Sequence, residues 1–353
     1  MARVMIFYHI FAILVTAVAA LLLYRRKGPR SEIRILLLGM SLLFGLALTA
    51  LLIPVNGFAR IQLLAWVVFL FFPLFLLMGL GFFWAHNRRL AIGLGAVLLI
   101  TLLVAAESFL IEPRWLEVTR LEITSPKLEE PLTIAVLADI QTDSPGEYEI
   151  RVLEIVREED PDLILLAGDY IQERDLEEYQ RESEVLNRIF LEGDLSPRMG
   201  IYAVRGNVDR DSWKEIFLDL EVRTFEETET IDLGPVLLTG VGWLDSANPA
   251  LQVRRGEKYH IVLGHSPNFS LGEIEGDLLL AGHTHGGQIQ LPGIGPLLTL
   301  SVVPRSWASG LTEIQPGKYL LVSRGIGLER DYAPQMRLFC RPEVIFLSLR
   351  PAP

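Results

Sequence analysis

The sequence predicts an α/β domain preceded by a four-helix transmembrane bundle, and three observations lead there. Four apolar runs fill the first third of the chain. Short β-rich runs alternate with amphipathic stretches from residue 132 onward, and most of the core strands so predicted end in a residue able to ligate a metal. The 353 residues are half hydrophobic, with a mean hydropathy of +0.35. That is high for a water-soluble protein, and the excess lies ahead of residue 112.

The apolar runs cover residues 4–23, 33–53, 61–84 and 90–111. Each approaches the ~20 residues that a helix needs to cross a bilayer. The first is too long for a secretion signal, has no small-residue cleavage site after it, and is followed by three more spans. Arg25, Arg26, Lys27, Arg30 and Arg34 sit in the first loop, and Arg88 and Arg89 in the third. The second loop has only Arg60 and the amino terminus only Arg3. Basic loops stay in the cytoplasm, so both ends of the bundle, and the domain that follows, are expected outside. Glu107 lies near the outer end of the fourth span, and Pro73 is expected to kink the third. No ionisable group falls at mid-membrane, which points to an anchor and away from a transport path.

Charge divides at the same place. Residues 1–111 hold nine basic and two acidic side chains, and the remainder holds 23 basic and 41 acidic ones. So acidic a domain is a poor binder of polyanions, which excludes nucleic acid as a partner. The single Cys340 permits no internal disulfide and sits in a strand-like run, where a buried, inert thiol is expected.

Residues 112–131 read as a connector, a strand pair or an extended strap, and 132–353 as the domain proper. LTIAVLA (132–138) is a buried strand, and 147–159 an amphipathic helix with Ile150, Leu153 and Val156 along one face. DLILLA (162–167) is the next strand, followed by a charged helix over 173–191 with Leu186 and Ile189 inward. GIYAV (200–204) is a third strand, and 212–220 a short helix. A β-rich half follows, with strands at 236–241, 259–263, 278–281, 318–322 and 343–349.

The polar residues fall where these strands stop. The first ends in Asp139, the second in Gly168-Asp169 and the third in Gly206-Asn207. The run 259–263 ends in Gly264-His265, and 278–281 in Gly282-His283-Thr284-His285. Side chains two apart in an extended segment point the same way, so His283 and His285 are expected to face one cavity at a strand's carboxyl end, where open α/β sheets place their sites. Two carboxylates, an amide and three imidazoles form a mixed oxygen–nitrogen set suited to two divalent ions bridged by a carboxylate. His9 and His86 lie at the membrane, and His260 lies within a strand.

ADIQ, AGDY, RGNVD, LGHSP and AGHTHGGQ, in this order, resemble the five blocks of the calcineurin-like metallophosphoesterase superfamily. The tail SRGIG (323–327) and RLFCRPEVIFLSL (337–349) resembles its membrane-attached bacterial branch. The resemblance spans roughly residues 112–350 and implies a four-layer αββα sandwich with a pair of metal ions at the strand ends. By position, Asp139 and His285 would hold the first ion, Asp169 would bridge, and Asn207, His265 and His283 would hold the second. Asp139, Asp169, Asn207 and His283 would form the catalytic set, in a multi-pass protein of the bacterial cell membrane with its catalytic domain on the periplasmic or extracellular face.

Two positions depart from the pattern. The first block is usually Asp-x-His, but its third position here is Gln141. That ion loses an imidazole and gains an amide oxygen or stays weakly filled, with Asp143 as a substitute ligand. A harder donor set shifts preference from iron or zinc towards manganese or magnesium, with manganese favoured. The second departure is Val208, where the family has a histidine that assists the leaving group. Valine carries no proton, so a phosphoanhydride, whose leaving phosphate has a second pKa of about 6, suits the site better than a simple monoester. Arg205, Arg210 and Arg324 are candidates for the lost positive contact, with Asn207, Arg205 and Arg324 placed against substrate.

The expected reaction is hydrolysis of a phosphoester or phosphoanhydride on a lipid-linked or cell-envelope molecule, by in-line attack of a metal-held hydroxide. The bilayer and a phosphorylated substrate are the expected partners. Two other readings remain: a degenerate fold kept as a membrane-tethered binding module, or a hydrolase of UDP-2,3-diacylglucosamine, which would need a cytoplasmic domain. The oligomeric state is not legible from the sequence.

Overall fold

A computed structural model describes residues 2–24, 31–254 and 256–352. The chain divides into two compact units, Met1–Ser108 with Tyr332–Pro334, and Phe109–Asp331 with Gln335–Pro353.

The first unit is helical: Ala2–Tyr24, Ser31–Leu52, Gly57–Trp84, and a last helix beginning at Arg88. Tyr8 reaches the Leu46 carbonyl at 2.9 Å, and Ala12, Ala50, Leu63 and Phe71 pack beside it. Two segments, Gly57–Trp84 and Arg88–Arg114, are long and apolar enough to cross a membrane. Among the described residues the other two helices offer shorter apolar stretches, Arg3–Val18 and Leu36–Leu52. Four helices stand where four spans were expected, but among the described residues only two segments have the length and apolar character to cross a membrane. Arg25, Arg26, Lys27 and Arg30, on which the first-loop charge rests, lie outside the described residues. A π-helical turn, Val67–Phe71, immediately precedes Pro73 in this helix. A widened turn there removes the clash of the proline ring with the preceding carbonyls.

The second unit is a double sheet. In chain order the strands are β1 Glu117–Ser125, β2 Leu132–Leu137, β3 Leu163–Leu166, β4 Ile201–Val204, β5 Val222–Phe225, β6 Glu229–Asp232, β7 Val236–Gly240, β8 Tyr259–Leu263, β9 Leu278–Ala281, β10 Gly310–Gln315, β11 Lys318–Val322 and β12 Glu343–Pro351. The first sheet runs β1-β12-β2-β3-β4-β5 and the second β10-β11-β9-β8-β7-β6. β2, β3, β4 and β5 are parallel, as are β7, β8, β9 and β11. In each sheet the ligand-bearing strand ends therefore share one edge.

Alternation decides the packing. Ile134, Val136, Leu163 and Leu165 from the first sheet meet Leu238, Ile261, Leu263, Leu278 and Leu280 from the second in one core between the sheets. Ala135, Leu137, Ile164 and Leu166 face the other way, against helices Glu147–Glu159 and Leu176–Gly193. Strands this apolar on both faces belong in the middle of a sandwich. The fourth layer differs from the αββα expectation. Among the described residues, what lies over Val262, Leu279, Ala281, Leu320 and Val322 is a single turn at Trp243–Ser246, a two-stranded ribbon of Gln252–Val253 with Glu273–Ile274, and 3₁₀ segments at Pro267–Leu271 and Arg305–Trp307. Residues 241–277 carry Gly and Pro too often to sustain a longer helix.

Three further readings need correction. The connector is a single strand, β1, paired in parallel with β12 at the sheet edge. On helix Glu147–Glu159 the buried face is Val152, Leu153 and Val156, while Ile150 is exposed. The short helix expected at 212–220 is a 3₁₀ segment, Trp213–Phe217.

Candidate metal centre

Each ligand-bearing residue occupies the first turn after its strand, and the backbone there is unusual. Asp139 (φ 49°), Gln141 (φ 37°), Asp169 (φ 57°), His283 (φ 70°) and His285 (φ 47°) are all left-handed. Non-glycine residues seldom adopt this conformation, and holding one there costs on the order of 1–3 kcal/mol. His283 and His285 thus converge through a left-handed turn leading into a 3₁₀ segment, His285–Gly287, and not through the extended geometry their spacing had implied. The close approach also explains the glycines: a Cβ on Gly206 would lie 2.1 Å from Asp169 Oδ1.

The structure brings Asp139, Gln141, Asp169, Asn207, His265, His283 and His285 together. Asp169, His265 and His283 offer ligand atoms all within 4.8 Å of one another. His265 Nδ1 donates to the Ala167 carbonyl at 2.8 Å, which turns Nε2 towards Asn207 Oδ1 (2.9 Å) and Asp169 Oδ2 (3.3 Å). Asp139 accepts the His283 backbone N–H at 2.9 Å and lies 3.8 Å from His265. His285 Nε2 meets Gln141 Oε1. A Cβ on Gly325 would sit 2.9 Å from Asp139 Cβ and 3.2 Å from His285 Nδ1, so these two groups share one wall.

Electrostatics suits a cation. Burial, reinforced by the Asp169 charge and opposed by that of His265, pushes the Asp139 carboxyl up to about 7. Burial also works against a charged His265, but the adjacent Asp169 carboxylate overcomes it and lifts His265 to about 9. Burial, with the charge of His265, lowers His283 to about 4, and burial with Arg337 holds His285 well below its usual value. His283 and His285 are therefore neutral at pH 7, the form that ligates metal. His285 Nδ1 is buried without a hydrogen-bond partner. Buried polar atoms are rarely left so, and two carboxylates facing imidazole nitrogens form the donor set that a divalent ion would satisfy.

Arg205 holds the Asp209 carbonyl at 2.8 Å and the Asp211 carboxylate at 2.9 Å. Arg324 pairs with Glu343 at 2.6 Å and Glu117 at 3.3 Å. Arg210 binds the Glu173 carbonyl and lies over the Tyr179 ring. All three are thus engaged with structural partners. Asp143 pairs with Arg330 at 3.0 Å. Cys340 is buried, its Sγ donating to the His285 carbonyl at 3.3 Å, and His260 bonds Thr239.

Several supporting residues had no clear sequence signal. Asp209, the last residue of RGNVD, accepts N–H groups from Asp169, Tyr170 and Gly206 at 2.7–2.8 Å and so fixes two ligand turns at once. Glu329 and Gln172 take the Gln141 amide nitrogen at 3.0 and 2.8 Å, leaving its oxygen towards His285. Arg337, fully buried, binds the carbonyls of Arg324, Gly325, Gly327 and Cys340.

Carboxylates, an amide and neutral imidazoles at adjoining strand ends of a double-sheet α/β domain define a metal-dependent hydrolase. Residues 132–287 match the family model for the calcineurin-like phosphoesterases. An uncharacterized metallophosphoesterase of Aquifex aeolicus is 29% identical over 270 residues, 71% of this chain and 98% of that protein. The phosphodiesterase YaeI of Escherichia coli is 28% identical over 67% of this chain and 90% of its own length. A bovine protein, "transmembrane protein with metallophosphoesterase domain", is 24% identical over 76% of this chain and 64% of its own. The chain is a phosphoester hydrolase.

Proposed function

We propose that this chain is a membrane-anchored phosphodiesterase or phosphoanhydride hydrolase that holds two divalent ions. Asp139, Gln141 and His285 would hold the first, Asn207, His265 and His283 the second, and Asp169 would serve both. The observation that carries the reading is the convergence of His265 Nε2 with Asp169 and Asn207, while Nδ1 is fixed on Ala167. An imidazole anchored through one nitrogen presents the other to a metal in a set orientation. When bound, such a pair of ions polarises the phosphoryl oxygens and activates water. The protein's share is to keep His283 and His285 neutral, to seat Asp169 through the Val208 N–H at 2.8 Å, and to leave Asn207 exposed towards substrate. The Gln141 amide oxygen favours a hard ion, manganese before zinc.

Glu329 sets that amide. Glu329→Ala should weaken manganese binding by roughly 10- to 100-fold, measured by competition with a fluorescent chelator. An unchanged affinity would remove Glu329 from the centre.

The membrane part rests on the amino-terminal helices. The segment Arg88–Arg114 is almost wholly uncovered by the rest of the protein, with Ile92, Leu99, Ile100, Leu103 and Leu110 all more than half exposed. Water tolerates so continuous an apolar surface badly, and lipid covers it well. Four spans, with basic first and third loops, would place the domain on the outer face of a bacterial membrane. Its substrate there would be a lipid-linked or cell-envelope phosphate. Val208 in place of an acid favours a leaving group that needs no proton.

The test uses the full chain in detergent: metal content, then hydrolysis of bis-p-nitrophenyl phosphate with manganese. Bound metal and turnover, both lost in His283→Ala, are expected. Absence of both in the unaltered chain would leave a tethered binding module. A reporter fused to the carboxyl terminus tests sidedness, and a cytoplasmic signal would revive the UDP-2,3-diacylglucosamine reading.

A further inference from the structure

The segment between the histidine turn and β10 shows an inverted burial pattern. From Gln288 to Pro304 there is no charged residue. Yet Ile294, Leu297, Leu298, Leu300 and Val302 are exposed, by 42–66%, while the polar Thr299 between two of these leucines is buried. A surface loop ordinarily turns its polar groups out. This one turns its leucines out, and its backbone is held there. A Cβ on Gly287, two residues past His285, would lie 2.6 Å from the Leu298 carbonyl oxygen, Leu297 N–H donates to the Ile289 carbonyl at 3.2 Å, and Asn268 Oδ1 takes Ser301 Oγ at 2.6 Å and Val302 N at 3.1 Å. Leu300 itself is left-handed at φ 52°, a conformation that a bulky side chain adopts only when its surroundings impose it. Residues 297–303 and Arg305 line a shallow depression of about 350 Å³.

We propose that residues 294–302 form the rest for an acyl chain of the substrate whose phosphate sits at the metal centre. This builds on the phosphodiesterase reading above. Two features select the occupant. The lip packs against the glycine turn that follows His283 and His285, so whatever lies along it adjoins a group at the centre. Apart from Arg305 at one end of the depression, it offers neither charge nor an outward hydrogen-bonding side chain beyond Ser301, so along its length it matches a hydrocarbon and not a charged peptide. Acyl-bearing phosphodiesters are available to a chain with two helices long and apolar enough to cross a membrane.

The experiment compares methyl and octyl p-nitrophenyl phosphate, two diesters with one leaving group, on the full chain in nanodiscs with manganese. Partial burial of the added methylenes predicts a kcat/KM at least ~10-fold higher for the octyl ester, carried mainly by KM. In the variants Val302→Ser and Ile294→Ser/Val302→Ser the octyl-to-methyl ratio should fall towards one. Octyl phosphate should inhibit the unaltered chain more strongly than methyl phosphate and lose that advantage in the variants. Equal rates for the two esters, or a ratio that survives both variants, would overturn the acyl rest while leaving the phosphodiesterase intact. Turnover of neither ester by the unaltered chain would overturn both.

Discussion

Asp169→Asn should lower kcat/KM for bis-p-nitrophenyl phosphate by roughly 10³-fold or more and strip most of the bound metal. The substitution keeps the side chain's shape and its acceptor for the Val208 N–H, so the protein should still fold, as circular dichroism would show. What disappears is the one buried negative charge between the two ligand sets. Asp169 faces His265 at 3.3 Å and is almost wholly shielded from solvent. Two divalent ions held side by side would repel each other, and the Asp169 carboxylate would offset that repulsion. A second readout belongs to this residue alone. The Asp169 carboxylate is the leading influence raising His265, so in metal-free Asp169→Asn the His265 imidazole should titrate well below about 9, an NMR-observable fall. A variant that keeps both full activity and full metal content would show that Asp169 bridges nothing.

How far the sequence exposes this centre follows from what kind of information each residue carries. Ligands stand out because the chemistry fixes their type and the sheet fixes their position: a carboxylate, amide or imidazole just beyond an apolar run is visible in one dimension. The means of convergence are not. Nothing in GHTHGGQ announces that His283 and His285 are left-handed, since that conformation is imposed by the packing of Gly325, Asp139 and Ala138 around the turn. Asp209, Glu329 and Arg337 were equally hidden, because a carboxylate that accepts three backbone N–H groups looks in sequence like any surface acid. Arg205 and Arg324 mislead in the opposite sense. Arginine near a phosphate site reads as an anion clamp, but β12 brings Glu343 beside Arg324, and a partner 19 residues away in sequence and on another strand has no local signature. The same holds for β1, whose pairing with β12 joins the start of the domain to its end. The apolar lip at 294–302 could have been read as a buried strand. Only burial shows that its leucines face out.

Val208→His should raise turnover of substrates with poor leaving groups by roughly 10²- to 10⁴-fold, the usual contribution of a positioned general acid. The position is well placed to receive one. Its backbone N–H holds Asp169 Oδ1 at 2.8 Å, its neighbour Asn207 accepts from His265, and its own side chain is only half-buried, which leaves room for a ring. The gain should depend on the leaving group. With p-nitrophenolate, which departs readily as an anion, protonation contributes little and the rate should change by less than about tenfold. With an alkyl phosphodiester, whose alkoxide is a strong base, the whole gain should appear. The new imidazole should also add a falling alkaline limb to the pH–rate profile, because the proton it donates is lost as pH rises past its pKa; its ordinary value is about 6.5. A uniform change across leaving groups would mean that the histidine acts by charge or by altered packing, and that the valine does not mark a site adapted to easily expelled groups. A selective change would tie the natural substrate to a leaving group that needs no proton, which is the chemistry of a phosphoanhydride or an activated diester.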